Sequence, residues 1–253
     1  MRVSRRTRFS LRCRTSMSFC LEPLKPATLA QTDLRAAILQ GDFSTDGRLP
    51  PERVLAEKLA ISRTQLRGVL DALAKEGLIF RRHGQGTFLQ PPPVQGAERL
   101  SALARRVSPR DLMEVRLDLE PALAAHAATR GSTENKSRLL HLMEDSLMAP
   151  DLESYERADD IFHYKIAQMA GNPVFLSLFE EIRTLRQAAD WKRTRREALG
   201  LEEIAEFSTL HSAIANAICA GSAEAARRAM AEHLQQVSHA LRRSDTWLEN
   251  PEM

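Results

Sequence analysis

The sequence has little cysteine, few aromatic residues and no long apolar run. Its three cysteines, Cys13, Cys20 and Cys219, have neither the spacing of a metal site nor the even number that a disulfide framework requires. This usage favours a reducing compartment, and we expect a cytoplasmic protein. No apolar stretch reaches the roughly 18 residues of a membrane-spanning helix, so we predict no contact with a membrane.

Aromatic residues make up only 5% of the chain, although 43% of it is hydrophobic. Such a composition suits a helical protein with aliphatic cores. A length of 253 residues favours one or two domains and allows a sizeable core to be buried.

Acidic residues are missing from positions 1–16, which contain six arginines. We interpret residues 1–27 as a basic and largely disordered extension, with Met17 as an alternative start. Positions 28–93 hold 9 basic and 7 acidic residues, whereas positions 94–253 hold 20 and 25. A slightly basic segment followed by an acidic one is expected if only the first meets phosphate groups.

Positions 50–75 have the pattern of two helices joined by a short turn at Ala60 and Ile61. The second helix can be capped by Ser62, and its apolar residues recur at i, i+3, i+4 and i+7, which predicts a buried face. These residues are Leu66, Val69, Leu70 and Leu73. The opposite face carries donor-rich side chains, as a recognition helix in a DNA major groove requires. They are Arg63, Thr64, Gln65 and Arg67.

A β-hairpin is predicted directly after the second helix, which Gly77 can end. Residues 78–82 and 87–89 have strand character, and a glycine-rich tip lies between them. Helix, turn, helix and basic wing in this order predict a domain that reads DNA. The alternative is a small helical unit whose charged face is merely solvated.

The same stretch resembles the winged-helix domain of GntR-family bacterial transcription regulators over residues 28–90. The resemblance is carried by Gly41-Asp42, by Leu-Pro-Pro-Glu-Arg at 49–53, by Ser-Arg-Thr-Gln-Leu-Arg at 62–67 and by Gly-Gln-Gly-Thr-Phe at 84–88. Gly68 departs from it, because the family usually has glutamate there. The resemblance implies a set of DNA-contacting residues: Arg53, Ser62, Arg63, Thr64, Gln65, Arg67, His83 and Gly84.

Residues 91–107 are predicted to be a linker, because Pro91, Pro92 and Pro93 favour an extended chain. One short helical turn is expected within it, through Leu100 and Leu103. Residues 108–245 show helical periodicity throughout, with stop and restart signals at Gly171-Asn172-Pro173 and Gly221-Ser222. The predicted fold class is therefore mainly α, with a winged helix-turn-helix followed by an all-α bundle of about six helices. Their predicted bounds are 108–129, 132–148, 152–170, 173–197, 201–220 and 222–243.

Asp159 and His163 are four residues apart and therefore share one helix face, while His211 and His233 lie on later helices. Spacing alone leaves open whether they form a metal site or are ordinary core residues. The bundle resembles the FCD ligand domain of the FadR subfamily, whose signatures are matched by Arg116/Glu120, Asp-Asp-Ile-Phe-His at 159–163, Gly171-Asn172, His211 and His233.

That resemblance implies a divalent metal ion held by Asp159, His163, His211 and His233. Three nitrogens and one oxygen suit zinc, nickel or another first-row metal. It also implies a small carboxylate effector bound near the metal with the help of Arg116, Glu120 and Asn172. The alternative for Arg116 is a buried ion pair with Glu120 or another neighbour.

Taken together, the two resemblances imply a dimeric regulator that binds a pseudo-palindromic operator and responds to a small organic acid, and repression is the commoner mode in the family. A regulator that senses the metal itself is one alternative. A metal-dependent hydrolase is another, since three histidines and a carboxylate also occur in hydrolytic sites. We favour a non-enzymatic function, because the chain has no His-Glu-x-x-His motif and a catalyst would leave the DNA reader unexplained.

Overall fold

The computed structural model of the 253-residue chain describes residues 35, 37–38, 43–44, 47–75, 78–82, 85–89, 91, 97–187, 189–244 and 247. Within these ranges it contains ten helices and one two-stranded sheet, arranged around two hydrophobic cores. The mainly α fold class is therefore confirmed. The predicted extension 1–27 lies outside the described residues, and so do most of residues 28–40, for which the sequence predicts the first helix of the DNA-reading domain (residues 28–90, here called the reader). No helix in the described ranges is both long and apolar enough to cross a membrane.

The reader contains helices α1 (Glu52–Lys58) and α2 (Arg63–Lys75). The turn between them includes Ala60, whose φ of 52° lies in the left-handed region, and the amide of Ile61 donates to the carbonyl of Ala56. This is the short turn that the sequence predicts. The four apolar residues of α2 are all buried in the smaller core, together with Leu55, Leu59 and Ile79.

The wing consists of strands β1 (Phe80–Arg82) and β2 (Gly86–Phe88), which pair in antiparallel register. Phe80 lies opposite Phe88, and Arg82 lies opposite Gly86. The amide of Leu49 donates to the carbonyl of Thr87, which ties the hairpin to the start of the reader. The predicted hairpin is confirmed, whereas the tip residues His83 and Gly84 lie outside the described ranges.

Helix α3 (Ala97–Ala104) follows the wing, where the sequence predicts only one helical turn. Its Leu100 is buried in the larger core. The bundle comprises seven helices rather than about six: α4 (Pro109–Arg130), α5 (Thr133–Leu147), α6 (Leu152–Met169), α7 (Pro173–Leu185), α8 (Ala189–Ala198), α9 (Leu201–Cys219) and α10 (Ala223–Leu241).

The prediction of a single helix over residues 173–197 is wrong, because the structure has two helices there, α7 and α8, with a turn between them. Trp191 of α8 is buried, and its indole lies 5.8 Å from the guanidinium carbon of Arg116 and 5.6 Å from that of Arg186. Hydrophobic periodicity does not reveal such a break, because both pieces are amphipathic helices with good helix formers.

Helix α4 passes through the centre of the bundle and contacts α6, α9 and α10. Its start is fixed by a capping box, in which Ser108 and Asp111 exchange side-chain to backbone hydrogen bonds. Its central location buries Arg116 and Glu120, which are 1% and 2% exposed. Two opposite charges are thereby held inside the bundle, where each requires a partner.

Candidate metal centre

Four side chains from three helices converge inside the bundle. Asp159 and His163 come from α6, His211 from α9 and His233 from α10, and each offers a ligand atom within 4.8 Å of the others. All four residues are at most 2% exposed. The four residues that the sequence analysis grouped by resemblance therefore share one buried location.

The distances suit a small divalent ion. The Asp159 Oδ1 atom lies 3.5 Å from His163 Nε2 and 3.4 Å from His211 Nε2. A tetrahedral ion with bonds of about 2.1 Å would separate its ligand atoms by about 3.4 Å. The histidine rings are grouped with centroid separations of 4.7 to 5.4 Å, which leaves space for one ion between them.

Hydrogen bonds behind the rings orient two of the histidines. His163 Nδ1 lies 2.5 Å from Glu120 Oε2, so its N–H donates to a carboxylate. His211 Nδ1 lies 3.1 Å from Ser146 Oγ, whose hydroxyl donates to the carbonyl of Met143 and must therefore accept from the ring. With its proton at Nδ1, each ring can direct the lone pair of Nε2 into the cluster, where a metal ion can bind it.

The facing nitrogens have no hydrogen-bond partner. They are Nε2 of His163, Nε2 of His211 and both ring nitrogens of His233. A buried polar atom without a partner costs about 1–3 kcal/mol, so several in one place require an explanation. A bound metal ion supplies one, because it would satisfy three of these nitrogens together.

The electrostatic environment also suits metal ligation. Burial lowers the pKa of His211 and, more strongly, that of His233, which keeps both rings neutral near pH 7. Burial alone would raise the pKa of Asp159, but His163 and other partners hold it well below its ordinary value. The pKa of His163 is raised in spite of burial, because Glu120 and Asp159 face it. A metal ion would therefore compete with a proton for His163, whereas His211, His233 and the carboxylate of Asp159 are already in their metal-binding forms.

Three buried arginines border the cluster. Arg186 Nη2 donates to Asp159 Oδ2 at 2.9 Å, and Arg195 Nη1 lies 3.9 Å from the same oxygen. Arg116 Nε donates to Glu120 Oε1 at 2.5 Å. The predicted ion pair of Arg116 with Glu120 is therefore present, and Glu120 also supports His163.

Arg186 and Arg195 are functional candidates that the sequence analysis does not single out. Their location depends on the break between α7 and α8, which carries no periodic signal. Asn172 is predicted to bind effector, but its side-chain oxygen accepts from the amide of Val174 and caps α7. An effector contact from Asn172 stays a prediction.

On the reader, the predicted DNA contacts have different surroundings. Arg63 and Thr64 are exposed, whereas Ser62 and Gln65 cap α2 by exchanging hydrogen bonds. Two further arginines form ion pairs with carboxylates of the reader: Arg67 with Glu52, and Arg53 with Glu57. Direct DNA contact by each of these residues stays a prediction.

A winged helix-turn-helix joined to an all-α bundle with a buried cluster of this kind defines a class of bacterial transcription regulators. Residues 27–89 match the family described as bacterial regulatory proteins, gntR family, and residues 111–236 match the FCD domain. The chain is 32% identical to the putative L-lactate dehydrogenase operon regulatory protein of Escherichia coli K12 over 221 residues, 84% of either chain. It is 30% identical to the regulator LutR of Bacillus subtilis over 210 residues, 81% of this chain and 95% of LutR.

Among solved structures, McbR/YncC of Escherichia coli is 22% identical, with a TM-score of 0.48 over 84% of this chain and 95% of the other. The protein belongs to the GntR family and carries an FCD domain. It is a DNA-binding transcription regulator, and both its families and its relatives are regulators rather than enzymes.

Proposed function

We propose that the protein is a homodimeric repressor that binds a pseudo-palindromic operator and responds to a small organic acid bound at a metal ion. The observation that carries this proposal is the buried cluster of Asp159 and three histidines with unpartnered nitrogens, bordered by buried arginines. A regulator has no structural need for such a polar interior, since apolar packing of similar volume would stabilise the bundle at least as well.

The cluster residues would hold the ion through Asp159 Oδ1, His163 Nε2, His211 Nε2 and one nitrogen of His233. Zinc or nickel suits this donor set, and when bound it would act as a Lewis acid towards a carboxylate oxygen. Glu120 and Ser146 fix the orientation of two rings. Guanidinium groups at the border supply hydrogen bonds to an anionic ligand.

The reader would place α2 in a major groove. Arg63 is free to approach base edges, whereas Arg67 must exchange its ion pair with Glu52 for a DNA partner. That exchange costs little, because an exposed ion pair contributes less than about 1 kcal/mol. In a homodimer each copy would contact one half of the operator. Because the two copies are related by two-fold symmetry, the two halves should form a pseudo-palindrome.

A direct contact route links the cluster to the wing. Tyr164 follows His163 on α6, and its ring packs edge-on against Phe80 of β1 with a centroid separation of 5.4 Å. The Tyr164 hydroxyl donates to Glu180 Oε1 at 3.0 Å, and the same oxygen pairs with Arg82 of β1. A shift of α6 on effector binding would therefore change the placement of the wing.

The test combines metal analysis, a thermal-shift screen and DNA binding. Protein purified without chelators should contain roughly one divalent ion per chain, as a four-residue site predicts. Small carboxylates should raise the melting temperature only when zinc or nickel is present, and the acid that does so should weaken binding to the protein's own promoter region. Graded DNA binding with metal alone would favour a metal sensor, and absence of metal would overturn the proposed site.

A further inference from the structure

We infer that Glu52 is a specificity-determining residue of the reader: its carboxylate holds Arg67 away from the backbone phosphates of unrelated DNA and releases it to a base edge of the operator. This inference rests on the proposed placement of α2 in a major groove and adds a residue to that interface. The observations that carry it are the ion pairs that join α1, α2 and β1.

Four charged side chains form a network on the surface of the reader. Glu52 Oε2 accepts from Nε and Nη2 of Arg67 at 3.2 and 2.9 Å. Arg81 of β1 donates from Nη1 to Asp71 Oδ1 at 2.5 Å, and its Nη2 atom lies 3.9 Å from Glu52 Oε1. Asp71 follows Arg67 by four residues on α2 and therefore shares its helix face. Two guanidinium groups and two carboxylates give the network no net charge.

The pairing with Glu52 restricts what Arg67 offers to DNA. The Arg67 side chain is 58% exposed, yet its charge is matched by the carboxylate, which also accepts from two of its nitrogens. A phosphate offers the guanidinium anionic oxygens much like those that it already contacts, so the exchange brings little net gain. A neutral pair also releases no counterions from DNA. Contact with unrelated DNA therefore leaves Arg67 bound to Glu52.

A guanine edge differs from a phosphate as a partner for Arg67. Its O6 and N7 atoms accept two hydrogen bonds in one plane, and a good bidentate pair of this kind discriminates about 5- to 150-fold against the wrong base. When Arg67 moves to the base, Glu52 still faces Arg81, whose Nη2 atom needs to move only about 1 Å to reach hydrogen-bond distance. Glu52 therefore keeps a cationic partner in the operator complex, which avoids the cost of an unpaired carboxylate.

Strand geometry places Arg81 within reach of Glu52. Successive side chains of a strand point to opposite faces of the sheet. Phe80 packs against Tyr164 of the bundle and Arg82 pairs with Glu180, so Arg81 is directed to the other face, towards α1 and α2. The second partner of Glu52 thus lies on a strand that the bundle contacts from the opposite side.

The experiment measures the affinity of the full chain for two labelled DNA fragments of equal length, the protein's own promoter region and a scrambled sequence. Fluorescence anisotropy is recorded between about 50 and 200 mM salt. Glu52→Gln should bind the scrambled fragment about three- to tenfold more tightly at the lower salt concentration. The slope of log K against log salt should steepen by about 0.9, the effect of one additional phosphate contact. Affinity for the promoter should change much less, so the ratio of the two affinities falls.

Arg67→Ala provides the matched control for the change in charge. In that background Glu52→Gln removes the same carboxylate but has no guanidinium to release, so the salt slope on the scrambled fragment should stay unchanged. Glu52→Asp keeps the charge on a side chain one methylene shorter, which breaks the contact with Arg67. It should lower the ratio in the same direction, and it replaces the glutamine variant if that protein does not fold.

An unchanged affinity of Glu52→Gln for the scrambled fragment would overturn the inference. An equal gain from Glu52→Gln in the Arg67→Ala background would do the same, because the carboxylate would then repel DNA irrespective of Arg67. Both results would leave α2 as the proposed recognition helix if Arg67→Ala weakens promoter binding. Unaltered promoter affinity in Arg67→Ala alone would instead contradict the proposed placement of α2, on which the inference depends.

Discussion

Arg82 in the first wing strand forms an ion pair with Glu180 of α7, a residue of the helical bundle. The carboxylate of Glu180 is 8% exposed and also accepts a hydrogen bond from Tyr164, the neighbour of His163. Burial and the charge of Glu180 together raise the pKa of Tyr164, so its hydroxyl remains a donor at all physiological pH values. One carboxylate thus joins the wing, α7 and the helix that bears two proposed metal ligands.

Glu180→Gln should weaken the link between effector and operator. The amide keeps the shape of the side chain but loses the charge that holds Arg82. The quantity compared is the ratio of two operator Kd values, one measured with and one without an acid that is active in the thermal-shift screen. Typical coupling makes this ratio about 5- to 150-fold, and we expect it to fall towards one in Glu180→Gln. Fluorescence anisotropy with labelled operator DNA measures both values.

Glu206→Gln is the control for this change, since Glu206 is exposed on α9 and distant in sequence from the wing. It should leave the ratio unchanged. An unaltered ratio in Glu180→Gln, with normal zinc content, would show that the wing contact does not transmit the response.

His211→Ala should remove most of the bound metal. The substitution deletes one proposed nitrogen ligand, His211 Nε2, which lies 3.4 Å from Asp159 Oδ1 in the native protein. Zinc or nickel content, measured by mass spectrometry after dialysis, is expected to fall well below one ion per chain. His141→Ala removes an exposed histidine and should have no effect. Retention of full metal content by His211→Ala would remove this residue from the ligand set.

Glu120→Gln should weaken metal binding without deleting a ligand. The carboxylate of Glu120 holds the His163 ring, and partners of this kind typically contribute 10- to 100-fold to metal affinity. Competition with a chromogenic chelator measures the change. Glu114→Gln is the matched control, because Glu114 is exposed on the same helix. Equal affinities for the two variants would mean that Glu120 acts on Arg116 alone.

Arg63→Ala and Arg67→Ala should each weaken specific operator binding by about 1–3 kcal/mol if they read base edges. The loss should be much smaller on unrelated DNA of the same length. Arg228→Ala, at an exposed position of the bundle, serves as a control for the change in net charge. Unchanged operator affinity in both reader variants would contradict the assignment of α2 as the recognition helix.

Gly68→Ala should stabilise the reader by about 0.5–1 kcal/mol. Gly68 is exposed within α2, and an added Cβ would meet no atom within 4 Å. Gly47→Ala meets equally open space, but its φ of +73° makes alanine unfavourable by about 1 kcal/mol or more. Urea unfolding of the two variants should therefore shift in opposite directions. A destabilised Gly68→Ala variant would refute the argument.

Much of this architecture is predictable from local patterns. Leu66, Val69, Leu70 and Leu73 predict the buried face of α2, and the i, i+4 spacing of Asp159 and His163 predicts their shared face. The support of His163 by Glu120 is not predictable, because it joins positions 43 residues apart. The location of Arg186 and Arg195 depends on the turn between α7 and α8, where Trp191 contacts two guanidinium groups in a tertiary arrangement that local periodicity cannot predict.

Two consecutive residues at the start of the wing pack into two different hydrophobic cores. Ile79 packs in the reader core, whereas Phe80, the next residue, packs with Phe88 in the bundle core. This hairpin is therefore structurally part of both domains, although it is continuous with the reader in sequence. A hybrid regulator made by exchanging readers between relatives at the 91–107 segment would carry a foreign hairpin against the native α6 and α7. Transplanting Tyr164 and Glu180 together with the reader, or cutting before residue 79, would keep that packing native.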